Sequence, residues 1–449
     1  MEDDRAMTKK RILVIGPVCN VSGYSEHARM FADAFLEDDR FDTYILATQW
    51  ANATTSTKYE QKYLENIKKT QTYLKYIQST GQSMKSSFDC CYQVRPPNEF
   101  ENVTNYDIGV TAALETVSAP PEWVSKCNMM KKILVVSEHA KKNLEKTTDQ
   151  LNNSKITTPI EVIPFYNKMK EERQRFEGYD EITTTTNFLC VSQFAPRKNL
   201  SEMIRNFVEE FKDDPDVGLI VKAHIHNNST MDRFQTSEVL SKFVLRETKN
   251  KKCKVYLLHG NLSDEQMHSL YDKETINGYI TATHGEGFGI PIFNAVCSDI
   301  PVIATAWSGH MDFLCAPVTN EVSKRVKNKN LFLKVPYLID VVKKEHLMPG
   351  LITEGAKWAY PNMQTFRKNL RTLANSRGYH SKEAALLGEH IRNTFTKEAV
   401  YEKILSSSDE ATSSGEAIDL DSQAMQAVQQ STVMKSIHDH ITGMAEEQK

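Results

Sequence analysis

The sequence predicts an α/β protein built from two doubly wound domains that face each other across a cleft. Three observations lead there. The chain has 449 residues, too many for one small core. Short continuous apolar runs, such as Arg11-Ile12-Leu13-Val14-Ile15-Gly16 and Phe188-Leu189-Cys190-Val191-Ser192, read as buried parallel strands. Strand and helix patterns then alternate through both halves.

Composition narrows the functional classes. With 40% hydrophobic and 25% charged residues the chain reads as soluble and globular, and no apolar run approaches the length of a bilayer span. Residues 1–10 are charged and lack an apolar core, so no secretory signal is expected. The eight cysteines contain no C-x2-C pair and read as reduced thiols in a cytoplasmic setting. A net charge of −3 gives no electrostatic case for tight nucleic-acid binding. The basic runs 249–254 and 324–329 read as solvated loops, with a phosphate-bearing or membrane-linked acceptor as the alternative.

In the first half, the strand ending at Gly16 is followed by a loop over 17–24 and a helix over Ser25–Phe35, with Ala28, Phe31, Ala32 and Phe35 on one face. A dinucleotide fold wants G-x-G-x-x-G at that turn, but the next glycine is Gly23, which argues against an NAD enzyme. Residues 56–85 are Lys/Thr/Gln-rich and read as an exposed helix. Asp107–Thr116 and Lys131–Ala140 supply further strand patterns, the second entering a helix with Ser137 as N-cap. Ile160–Pro164 reads as the last strand of this half, and 168–186 as a linker.

The second half starts at about Asn187. The loop Gln193-Phe194-Ala195-Pro196-Arg197-Lys198-Asn199-Leu200 precedes a helix with Ile204, Phe207, Val208 and Phe211 on one face. On the strand over 217–226, His224 and His226 share a face, which invites a metal, but no third ligand is near in sequence. No metal site is therefore expected. Lys254–Gly260 continues the sheet, and Leu262–Met267 is a capped helix start.

The segment over 278–305 organises the rest. An apolar stretch, Gly278–Ala282, runs into Gly287, Phe288 and Gly289, and a helix follows over Ile290–Cys297 with Pro291 in its first turn. Glycines let the backbone approach a ligand, and the N–H groups opening the helix favour a phosphate or diphosphate. Glu286 and Asn294 stand up to roughly 12 Å apart along such a helix, about the span from ribose to hexose in a nucleotide sugar. A Gly-rich turn starting a core helix is the alternative for a bare G-x-G.

Glu286-Gly287-Phe288-Gly289-Ile290-Pro291-Ile292-Phe293-Asn294-Ala295, followed by Pro301-Val302-Ile303-Ala304, resembles the E-x7-E block of retaining glycosyltransferases of family 4, which have the GT-B fold of two Rossmann-like domains. The resemblance runs from about Arg11 to about Leu405, and its specific motifs are short. It implies that Glu286 touches the donor sugar, that the N–H groups around Gly287, Phe288 and Gly289 hold the diphosphate, and that Arg197 with Lys198 neutralises the leaving group. Ser22-Gly23-Tyr24 resembles the turn such enzymes place against donor phosphates, with a plain flexible loop as the alternative.

Two positions depart from the pattern. The second glutamate is Asn294, whose amide can still bond ribose hydroxyls. The arginine that usually precedes the lysine by five residues is Gln193, with Arg197 able to replace the lost charge. Glu115 stands where many members carry a histidine, with His139 further on, and is a candidate acceptor-side hydrogen-bonding group or base.

The implied activity is a metal-independent hexosyl- or pentosyltransferase that moves a sugar from a UDP-, GDP- or ADP-sugar to a hydroxyl of a glycan, lipid, protein or other acceptor, with no further cofactor. The expected organisation is an acceptor domain with linker over 1–180, a donor domain over 187–377, closing helices over 378–405 and a polar tail over 406–449. In that tail, 406–416 reads as disordered and 418–447 as an amphipathic helix. The rival readings are a GT-B binding or scaffolding protein that lost catalysis, towards which Gln193 and Asn294 point, and another GT-B enzyme such as a sugar-nucleotide epimerase or phosphorylase.

Overall fold

The computed structural model describes residues 9–411, apart from 52, 150, 152, 171–173, 245–249 and 320–323. Two six-stranded parallel sheets carry the chain. The first contains β1 (Lys10–Gly16), β2 (Phe41–Ala47), β3 (Cys90–Val94), β4 (Asp107–Thr111), β5 (Lys132–Val135) and β6 (Ile160–Val162), in the order β2-β1-β3-β4-β5-β6. The second contains β7 (Thr186–Gln193), β8 (Val217–His224), β9 (Lys254–Leu258), β10 (Ile276–Ile280) and β11 (Val302–Thr305). A hairpin of β12 (Cys315–Thr319) and β13 (Val326–Asn330) then leads to its edge strand, β14 (Leu333–Val335). The order is β14-β11-β10-β7-β8-β9, and β15 (Tyr337–Val341) pairs antiparallel with β16 (Lys357–Pro361) outside it.

Burial on both faces explains the continuous apolar runs. In β1, Ile12 and Val14 join one buried cluster while Leu13 and Ile15 join another on the opposite face. The covering helices of the first half are α1 (Gly23–Leu36), α2 (Thr57–Thr80), α3 (Met84–Ser87), α4 (Trp123–Cys127) and α5 (Glu138–Glu145). Those of the second are α6 (Leu200–Phe211), α7 (Thr230–Glu238), α8 (Asp264–Ser269) and α9 (Ile290–Cys297), followed by α10 (Met363–Asn375), α11 (Arg377–Thr394) and α12 (Lys397–Ser406). None of the described helices is long and apolar enough to cross a membrane.

Several local expectations are corrected. Helix α1 begins at Gly23 because the Ser22 hydroxyl accepts the Ser25 N–H and starts the helix two residues early. Helix α2 is not merely exposed: Tyr63, Thr70, Tyr73, Leu74 and Ile77 recur at helical spacing and are buried. Residues 407–411 are ordered against the first sheet, where the Ser407 hydroxyl lies 2.8 Å from that of Tyr92 and Ala411 is buried. The proposed amphipathic helix over 418–447 lies outside the described residues.

The strand orders reverse between β1 and β3 and between β7 and β10. At such a point successive connections leave to opposite faces of the sheet and open a crevice beyond the strands' carboxyl ends. In the second sheet that crevice is bounded by the loops after β7 and β10, the two stretches singled out in the sequence. The chain crosses between the halves twice, and the crossings touch: the Asn167 N–H donates to the Phe395 carbonyl at 2.8 Å. Just beyond, Lys397 on α12 pairs with Glu37 after α1 at 2.6 Å.

Candidate functional site

The loops after β7 and β10 are bonded to one another along their length. The Arg197 carbonyl accepts the His284 N–H at 2.8 Å, and the Asn199 amide donates to the Ala282 carbonyl at 3.0 Å. Asn199 has a left-handed backbone (φ 52°), which turns the chain from Pro196–Lys198 into α6. The Arg197 guanidinium donates to the Gly285 carbonyl at 2.6 Å. This mutual bracing fixes Arg197 and Lys198 directly beside Glu286.

Lys198 Nζ donates to both Glu286 oxygens, at 2.8 and 2.6 Å, and Arg197 lies 3.3 Å from one of them. The Glu286 side chain is only 10% exposed. Burial by itself would raise its carboxyl, but the Lys198 and Arg197 charges outweigh this and hold it well below the usual carboxylate range. Burial and the Arg197 charge pull Lys198 down, while the charges of Glu115 and Glu286 raise Arg197 against its own burial.

The backbone behind Glu286 is held by the turn after β11. The Glu286 N–H donates to the Ser308 hydroxyl at 2.8 Å, and the Gly309 N–H to the Glu286 carbonyl at 2.9 Å. Ser308 has φ 87°, a strained value for a residue with a side chain, and its hydroxyl lies 3.4 Å from Nδ1 of the buried His310. His310 Nε2 donates to the Thr305 carbonyl at 2.7 Å, which fixes the ring. A Cβ on Gly309 would stand 1.9 Å from the Gly287 carbonyl oxygen, so only glycine fits there.

Helix α9 opens at Gly289, whose φ of 96° suits glycine, and its first N–H groups have no carbonyl within the helix to reach. The Phe288 ring is buried against Phe165, Phe293 and Phe313, which leaves its backbone as the part able to meet a ligand. Asn294, one turn on, has the buried Tyr271 hydroxyl as a polar neighbour.

The first half reaches the same place. Glu115, on the loop after β4, lies 3.1 Å from Arg197 and accepts the Gly287 N–H at 3.2 Å. The Ser137 hydroxyl donates to the Gly287 carbonyl at 2.6 Å while also capping α5, and the Glu138 N–H donates to Asp312 at 2.7 Å. His139 packs edge-on to Trp307 with ring centroids 4.7 Å apart, and burial lowers it to about 4.

Glu286, Arg197, Lys198, Glu115, Gly287 and Gly289 thus form one cluster across the seam of the two halves, with Glu286 buried and the other three charged side chains partly buried. Gln193 and Gly23 are placed differently. The Gln193 amide donates to the Ile225 carbonyl at 2.8 Å, and Gly23 is exposed at the start of α1. Its neighbour Tyr24 connects that turn to the cleft, stacking on Trp50 and lying 2.9 Å from the Thr111 hydroxyl. His224 and His226 have Asp232 and His259 near them, the latter two 3.0 Å apart, yet among the described residues no group of three or more His, Cys, Asp or Glu is placed to hold a metal ion.

Residues 171–340, which include Arg197, Lys198, Glu286 and Asn294, match the family model described as Glycosyl transferases group 1. Over those residues the chain is similar to the glycosyl transferases group 1 family. Among solved structures it is similar to sucrose-phosphate synthase from Thermosynechococcus elongatus, at 12% identity and a TM-score of 0.58 over 89% of this chain and 98% of that one. HepE from Anabaena, solved in complex with UDP and glucose, matches at 11% identity and a TM-score of 0.57 over 89% and 99%. A glycosyltransferase from Rickettsia africae matches at 14% identity and a TM-score of 0.54 over 90% and 99%. A search of curated protein sequences gave no match. These likenesses show the GT-B fold, and the residues matched by the family model include both loops that bound the crevice at the β7/β10 switch point.

Ser308, His310 and Tyr271 were not singled out from sequence. Ser308 and His310 lie in the turn that follows β11. The signal that could have found them is the Ser-Gly-His run itself, since a small polar residue before a glycine at a strand's end suits a hydroxyl accepting a loop N–H.

Proposed function

We propose that the protein is a retaining, metal-independent glycosyltransferase that moves a sugar from a nucleoside-diphosphate sugar to an acceptor hydroxyl. The observation that carries this reading is the Glu286–Lys198–Arg197 cluster, partly buried around the buried Glu286, at the mouth of α9. It sets a carboxylate for sugar hydroxyls beside two cations and a helix N-terminus for a departing diphosphate.

In this reading the bond from the sugar's anomeric carbon to the phosphate oxygen breaks, and its electron pair leaves with the diphosphate. Lys198, Arg197 and the N–H groups around Gly289 meet the developing charge, which is the work a metal does elsewhere. The acceptor oxygen bonds to the anomeric carbon on the face the diphosphate leaves, and its proton passes to the departing phosphate. Glu286, ionised and oriented by Lys198, accepts hydrogen bonds from the sugar. Asn294 faces the ribose, and the first half presents the acceptor from the loop that carries Glu115.

The test is a calorimetric and product-release screen of UDP-, GDP- and ADP-sugars, beginning with UDP-glucose because HepE holds UDP and glucose. One donor should bind and be slowly hydrolysed with a chelator present, and Glu286→Ala and Lys198→Ala should each weaken this. Donor binding without turnover under any acceptor mixture would favour the binding-protein reading, for which the departures at Gln193 and Asn294 are the specific support.

A further inference from the structure

Within the cluster the charges are already matched. Two cations, Arg197 and Lys198, face two carboxylates, Glu115 and Glu286, at 2.6 to 3.3 Å. A diphosphate brought to this cluster as it stands would find no cation free of a carboxylate. The two carboxylates differ in how they are held. Glu286 shares its domain with both cations, is gripped through both oxygens by Lys198 and is fixed by Ser308 and Gly309 behind it. Glu115 comes from the other half of the chain, touches Arg197 through one oxygen, and uses that same oxygen to accept the Gly287 N–H.

A cation and a backbone N–H at the mouth of a helix, converging on one oxygen, form the donor set that a phosphate oxygen recruits. We infer that Glu115 occupies the place of a donor phosphate oxygen in the ligand-free protein, and that the donor binds by displacing it. Glu115 then acts as a specificity-setting residue: only a ligand with enough negative charge to replace a carboxylate on Arg197 and Gly287 enters, and a neutral sugar does not. The exchange keeps the cluster's charge pattern, so Arg197 is not left buried without a counter-ion at either stage. Because the two partners belong to different halves, the displacement also releases a tie between them. The inference rests on the donor-site reading given above.

The experiment measures binding of UDP, GDP, ADP and inorganic pyrophosphate to the full chain and to Glu115→Gln and Lys198→Ala. Glutamine is isosteric and retains an oxygen for the Gly287 N–H, so the fold is preserved while the charge is removed. Glu115→Gln should tighten the dissociation constant of the diphosphate that binds, and of pyrophosphate, at least fivefold, and should lower KM for the donor sugar more than it changes kcat. A residue with a purely structural role would not tighten binding of a bare pyrophosphate. If Glu115→Gln binds diphosphates no more tightly than the unaltered chain, while Lys198→Ala loses binding, the stand-in role is wrong and the donor site survives. If no diphosphate binds any of the three proteins, the donor-site reading falls, and this inference with it.

Discussion

Lys198 and Glu286, 88 residues apart in sequence, meet through two hydrogen bonds of 2.8 and 2.6 Å at the point where the second sheet reverses its strand order. Neither residue lies in a strand. The parallel neighbours β7 and β10 end side by side, and their loops inherit that adjacency.

Breaking this pair leaves a buried carboxylate with only Arg197 for support. Lys198→Met should lower unfolding stability by about 3 kcal/mol, at the low end for removing one partner of a buried pair because Arg197 remains. Thermal unfolding of the single variants and of Lys198→Met with Glu286→Gln checks this. The double variant should recover much of the loss, and if it is no more stable than the single, the pair is not what the substitution removes.

Asp312 gives a dependence on pH with a definite sign. Burial, with the Glu138 charge adding to it, raises its carboxyl to about 6, although the Glu138 N–H works the other way. The folded value therefore exceeds the ordinary unfolded value of about 3.9. Between those values the unfolded chain loses a proton that the fold retains, so this residue's contribution to stability falls as pH rises from about 4 to about 6. Asp312→Asn should stabilise the protein by about 2 kcal/mol at pH 7.5 and by almost nothing at pH 4. Denaturant midpoints at the two pH values measure it, and an equal gain at both would place the effect in packing.

Gly309→Ala tests the turn behind Glu286. The new methyl would meet the Gly287 carbonyl oxygen at 1.9 Å, which is backbone and cannot rotate away. Stability should fall by about 2 kcal/mol or more, and donor turnover should fall at least a hundredfold as the 286–289 loop shifts. Full turnover in a folded Gly309→Ala protein would show that the loop's position is immaterial.

Asn294→Ala separates two roles of one amide. Removing a polar neighbour of the buried Tyr271 hydroxyl should cost about 1 kcal/mol of stability with no ligand present. If the amide also meets the donor ribose, the dissociation constant for the nucleoside diphosphate should rise about fivefold, equivalent to about 1 kcal/mol. A stability loss with unchanged affinity would confine Asn294 to the first role.

Most of the fold was legible in the sequence because its signals are local. The run Ile12–Gly16 is apolar at every position since both faces of β1 are covered, and the start of the helix over Ile290–Cys297 is marked by Gly289 and Pro291. Local spacing also showed that Arg197, Lys198 and Glu286 belong to loops at strand ends. It could not show that Glu115 would reach Gly287 across 172 residues, since nothing near Glu115 encodes the opposite domain. Helix α2 was misjudged by average composition, which hides Tyr63, Tyr73 and Ile77 on one buried face. The Ser407–Tyr92 contact was missed for the same reason, because a short polar segment can still be held when its hydroxyls find partners.

The two chain crossings between the halves lie side by side, joined by the Asn167–Phe395 hydrogen bond. Two adjacent crossings restrain the halves at one edge more tightly than a single connection would. Glu115 and Arg197 belong to different halves, whereas Lys198 and Glu286 share one. Any change in the angle between the halves would therefore act on the first ion pair and spare the second.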